Sequence, residues 1–106
     1  TWESAHQAFH RRLVSAAPTP LREEIETLMA RADRYRRIAV RDDTAQGRAL
    51  GDAEHEAIIE ACEASDAPGA AALLRAQLVR SARTVQALVV PGSELPALEA
   101  ALAELG

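Results

Sequence analysis

The chain carries three histidines, His6, His10 and His55, and each falls on the apolar side of a helical pattern. His6 and His10 stand four residues apart, on the face that also holds Trp2, Phe9, Leu13 and Val14. Residues at i and i+4 project from one side of a helix, so two imidazoles at that spacing can meet one ion. His55 shares a later stripe with Ile58, Ile59 and Cys62. A polar ring on the core side of a helix is costly unless it finds a partner. Imidazole is also a common ligand of transition metals. A metal or small-molecule pocket among helices is the chemistry these residues could support. The competing reading is three core rings bonded to a backbone carbonyl or a carboxylate.

The rest of the composition bounds that chemistry. One hundred and six residues make one domain with a modest core. The chain starts at Thr1, already in a helical pattern, and is read as a fragment or the ordered part of a longer protein. Alanine and leucine dominate, glycine and proline number five each, and aromatics total three. That is a helix-forming composition with little to offer a sheet. The formal charge of -4 and a pI near 5.3 argue against a free-standing nucleic-acid binder, which is usually basic. Cys62 is the only cysteine, so no internal disulfide forms and a reducing, cytoplasmic setting is expected. The apolar runs fall far short of a membrane span, and no secretory signal is visible.

An all-α antiparallel bundle of four main helices plus a short C-terminal helix follows from the periodicity. The first helix runs from about Trp2 to Ala16, capped by Thr1, with Glu3 favourably placed in its first turn. Pro18-Thr19-Pro20 stops it. The second runs from Leu21 to Val40 with an apolar stripe of Leu21, Ile25, Leu28, Ala32, Tyr35 and Ala39. Arg41 to Gly51, polar and with two glycines, reads as a loop. Asp52 caps a third helix that ends near Ala64. Asp66 caps a fourth, with Pro68 in its first turn, that runs to Val89. Its inward residues are Ala70, Leu73, Leu74, Leu78, Ala82, Val85 and Val89, with Gln77 on the same side. Pro91-Gly92 ends it, and Ser93 opens a last helix from Glu94 to Leu105. Short connections make neighbours antiparallel, so His6, His10, His55 and Gln77 can face one pocket.

These segments carry a family resemblance. Phe9-His10-Arg11-Arg12-Leu13, followed by Ala16-Ala17-Pro18-Thr19-Pro20-Leu21, resembles the "FHRxL…AAGNPxL" stretch of the FCD domain, the C-terminal effector-binding domain of FadR-type GntR transcription regulators. The arginine-rich run from Leu28 to Arg37 is similar to that domain's next helix. Glu54-His55-Glu56-Ala57-Ile58-Ile59-Glu60-Ala61 is similar to its "EHxxIxxAI" motif. Ser65-Asp66-Ala67-Pro68-Gly69-Ala70 resembles its "GDxxxA" step, with serine in place of the glycine. The similarity runs from about residue 2 to residue 88. The winged helix-turn-helix and the first helices of such a domain would precede Thr1.

The resemblance implies a ligand set. Many members hold a divalent metal with one aspartate and three histidines. The aspartate's place is His6, the "FH" histidine is His10, the "EH" histidine is His55, and the place of the last histidine, 22 residues on, is Gln77. Losing the aspartate weakens the hold on a hard cation. Gaining His6 restores three imidazoles and suits zinc, nickel or copper better than magnesium or calcium. Gln77 could supply a weak oxygen, or hold a water or the effector. Arg31, beside the second helix's stripe, could pair with a carboxylate effector through its two-pronged guanidinium. Cys62 reads as a small buried apolar residue, and Trp2 and Phe9 as core.

The resulting expectation is a ligand-sensing, dimerising regulatory domain, not an enzyme. It takes a small organic acid, with zinc or nickel as the metal that could assist. It reaches DNA only through a domain outside this chain. A metal-dependent hydrolase and a dimerisation module with a degenerate pocket are the alternatives. Against the hydrolase, there is no HExxH motif, no nucleophile elbow and no carboxylate base beside the histidines.

Overall fold

Five helices carry the chain: α1 (Trp2–Leu13), α2 (Thr19–Arg41), α3 (Ala45–Glu63), α4 (Ala67–Val89) and α5 (Pro96–Leu105). The computed structural model describes residues 2–41, 45–92 and 94–105, with the side chains of residues 2, 3, 38–41 and 105 left aside. The fold is all-α, as the periodicity predicts, with no strand among the described residues. Two compact units divide the chain, Thr1–Tyr35 and Arg36–Gly106.

The first unit pairs α1 with the start of α2. Helix α1 ends at Leu13, three residues earlier than its pattern suggests, and the chain turns through Val14–Ala17. Arg22 N–H then donates to Pro18 O at 2.9 Å, so α2 opens at Thr19 with Pro20 in its first turn. Proline is tolerated there because first-turn N–H groups lack intrahelical acceptors anyway. Gln7 donates to Asp33 at 3.0 Å, which ties the two helices side by side. His6, Phe9, Leu13 and Val14 are half-buried and His10 is buried, as the apolar face predicts. The Thr1 cap, the first-turn charge of Glu3 and the core role of Trp2 lie outside the described residues.

Helix α2 departs from its predicted orientation. Its half-buried residues are Arg22, Ile25, Met29, Asp33 and Arg36. Leu21, Leu28 and Tyr35 are 51%, 55% and 47% exposed, and Ala32 is exposed with them. The apolar stripe therefore does not face the interior of its own unit. The Gln7–Asp33 bond lies on the half-buried row, not on the stripe.

The second unit is organised on α3 and α4, its one extensive helix pair. The expected loop at Arg41–Gly51 is shorter than predicted, since α3 already begins at Ala45. Ala45, Gln46, Arg48, Ala49 and Leu50 are good helix formers, and they outweigh Gly47 and Gly51, each costing about 1 kcal/mol. Asp52 is thus internal to the helix and caps nothing. Helix α3 closes with Asp66 N–H on Ala61 O at 2.8 Å and Ser65 N–H on Cys62 O at 3.0 Å. That is the Schellman pattern, and Ser65 takes its left-handed position at φ 55°. Glycine is the residue that fits that conformation without strain.

Asp66 caps α4 as predicted, accepting from Gly69 N–H at 3.0 Å, with Pro68 in the first turn. Among the described residues Ile58 is the one fully buried side chain, 1% exposed, and Gln77 is buried on α4. The faces were predicted partly out of phase. Ile59 and Cys62 are exposed rather than inward, as are Leu73, Leu78, Ala82 and Val89. The covered rows are Glu54, His55, Ala57, Ile58 and Ala61 on α3, and Ala70, Leu74, Gln77, Ser81 and Val85 on α4. Gly92, at φ 79°, turns the chain after α4, and α5 starts at Pro96, two residues after the predicted Glu94. Ser93 lies outside the described residues.

Candidate metal centre

In the first unit, His6 and His10 meet one turn apart. Their Nε2 atoms are 3.2 Å apart, with ring centroids 4.5 Å apart and planes at 65°. Phe9 lies edge-on to His10, with centroids 5.4 Å apart, and helps fix that ring. Two lone pairs at this distance repel. One ring must therefore donate a proton to the other, or both must face a cation. Two nitrogens bound to one zinc at about 2.0–2.1 Å in tetrahedral geometry stand roughly 3.3 Å apart. The observed pair is within about 0.1 Å of that arrangement.

In the second unit, α3 presents His55 one turn before Ile58 and α4 presents Gln77. Burial lowers the pKa of His55 below its ordinary 6.5, mainly through desolvation of the cation. Asp52 and Glu54 pull in the opposite direction, and Arg80 adds slightly to the lowering. The ring is thereby biased to the neutral form that can ligate a metal. Gln77 is 5% exposed, and its Oε1 is buried without a hydrogen-bond partner. A buried acceptor left unmatched costs about 1–3 kcal/mol, so it favours any ion, water or ligand that supplies the missing bond.

Glu54 and Arg80 brace this pair of helices. The guanidinium donates through Nε and Nη2 to both carboxylate oxygens at 2.5–3.0 Å, one residue from His55 and three from Gln77. The sequence reading missed this brace. Position 54 lies nine residues before the end of α3 and position 80 thirteen after the start of α4, so counting outward from the turn does not pair them.

His6 and His10 belong to the first unit and His55 to the second, and each ring nitrogen is of a type that ligates transition metals. They are the three predicted ligands. Of the two predicted effector contacts, Gln77 is buried and Arg31 is exposed. A broad groove in the second unit lies on a flank of α4 that Arg80 also borders. Ala72, Ala76 and Val79 line it with Arg75, Arg83 and Leu102, and no predicted site residue contributes.

A family model, the FCD domain, matches residues 1–80, which spans α1 through the middle of α4 and includes all four predicted pocket residues. No curated protein and no solved structure gives a match. With three-quarters of its length inside the family model, the chain belongs to the FCD domain family, the regulatory, effector-binding domains of GntR-type transcription regulators.

Proposed function

We propose that this domain senses a small organic acid through a transition metal held by His6, His10 and His55. The observation that carries the reading is the His6–His10 pair, whose nitrogens already have the separation of two ligands on one ion. His55, held neutral by burial, would supply the third ring nitrogen. Three neutral imidazoles suit zinc or nickel and leave positions open. Gln77 Oε1 completes the shell or accepts a hydrogen bond from a bound water or effector. A carboxylate would take an open position on the metal, which supplies the positive charge that the three neutral rings lack.

The consequence is regulatory. An effector that bridges helices through the metal binds one packing of those helices better than another and shifts their population. In a homodimer that shift would be passed to DNA-binding domains. Elemental analysis after zinc loading and dialysis tests the site. The wild type should retain about one zinc per chain, and His10→Ala and His55→Ala should retain none. Gln77→Ala should keep its zinc but bind it more weakly. Equal zinc in the wild type and His55→Ala would remove His55 from the site and the reading with it.

A further inference from the structure

Helix α4 carries three arginines and no aspartate or glutamate, in a chain whose net charge is -4. All three, Arg75, Arg80 and Arg83, border the groove on the flank of α4. Ala72, Ala76, Val79 and Ala87 form its floor, at spacings of four, three and eight that keep them on one side of the helix. Leu102 lines it from α5, and the Arg83–Glu99 ion pair at 2.8 Å holds α5 beside it. The cavity volume is about 700 Å³, within the range of small-molecule pockets.

The charges select the occupant. Arg80 is matched by Glu54, and Arg83 by Glu99. Arg75 has no ion pair or hydrogen bond among the described residues. The groove therefore carries one unmatched positive charge, which a single anionic group neutralises. A guanidinium offers a planar two-donor fork to a carboxylate, sulfonate or phosphate. A polyanion would meet Glu54 and Glu99 beside the two paired arginines and be repelled. The floor of methyl groups selects the shape. It is low and even, so a flat apolar body can cover it, and guanidinium planes stack on aromatic faces. A row of alanines also admits a packed helix, but α5 already takes that place on one side through Leu102 and Glu99.

We propose that this groove is a second small-molecule site. It takes an organic monoanion with a flat apolar body, whose anionic group pairs with Arg75 while the body lies on Ala72, Ala76 and Val79. The site uses no metal and none of the histidines, so it stands apart from the proposed sensing site.

Naphthalene-2-sulfonate is a suitable probe, because a sulfonate pairs with a guanidinium but is a poor ligand for zinc. Titration into the whole chain, followed by backbone amide shifts in NMR, should give saturable changes confined to Ala72–Ala87 of α4 and to α5 near Leu102. A Kd on the order of 1 mM is expected for a ligand of this size. The changes should be the same with and without zinc, and in His55→Ala. Arg75→Gln should weaken binding about fivefold. The neutral naphthalene-2-sulfonamide should bind the wild type no better than the sulfonate binds Arg75→Gln. Ala76→Glu, at an exposed position on the floor, should abolish binding with helix content by circular dichroism unchanged. Full affinity in Arg75→Gln, or a sulfonamide as tight as the sulfonate, overturns the anion site. Changes centred on Leu21–Tyr35 of α2, or changes that require zinc, overturn the groove as the place of binding. No saturable change at about ten times the expected Kd overturns the proposal outright.

Discussion

Replacing Ile58 and Ile59 one at a time by alanine reads the rotational phase of α3, on which the position of His55 depends. The two residues are chemically identical and adjacent, but Ile58 is 1% exposed and Ile59 is 41% exposed. Truncating a fully buried isoleucine costs about 2–5 kcal/mol, from lost transfer free energy plus the cavity left behind. Ile58 sits against α4 in a small core with few neighbours to share the loss, and we expect about 3 kcal/mol. At position 59 much of the removed surface is already in water and little cavity forms, so about 1 kcal/mol is expected. The difference of roughly 2 kcal/mol is a large share of the total stability of a domain this size. Urea unfolding followed by circular dichroism, with the slope checked for constancy, measures it directly. His55 lies three residues before Ile58, and so on its side of the helix. If Ile59→Ala costs as much as Ile58→Ala, or more, α3 is rotated from the orientation described and His55 does not face inward.

Three other perturbations have defined outcomes. The metal-free protein should lose stability as pH falls. His55 contributes fully above its unfolded value of 6.5, and that contribution is lost as pH drops through its lower folded value, because the unfolded chain takes the proton first. His55→Asn should flatten that part of the pH profile, and an unchanged profile would contradict the burial argument. Ser65→Gly should stabilise the protein by about 0.5–1 kcal/mol, since glycine adopts the left-handed C′ position without strain, and a loss in chemical denaturation would refute the assigned cap. Arg80→Ala should cost about 1–2 kcal/mol by the same assay and loosen zinc binding, because the Glu54 brace beside His55 is two-pronged and part-buried; no change in either would assign it to the surface.

Periodicity alone made the helices legible, and their ends were legible where the chemistry is local. Asp66 with Pro68 announced the start of α4 because capping depends on a few adjacent atoms. The Arg41–Gly51 segment was misread because glycine is a weak breaker when flanked by good helix formers. Phase was harder. A stripe such as Leu21–Leu28–Tyr35 says that a helix has an apolar side, not which neighbour covers it. Single side chain pairs, Gln7–Asp33 and Glu54–Arg80, tie neighbouring helices at fixed points, and no period reveals them. The histidines were legible for a different reason. A ring on an otherwise apolar face needs a partner, and that need is visible before the partner is.

Zinc K-edge X-ray absorption of the loaded protein tests the central claim most directly, because the outer-shell scattering of imidazole counts the histidines on the ion. The account predicts three imidazoles with one or more oxygen ligands, falling to two or to no bound zinc in His6→Ala. A spectrum with one imidazole, or with a sulfur ligand from Cys62, would contradict it.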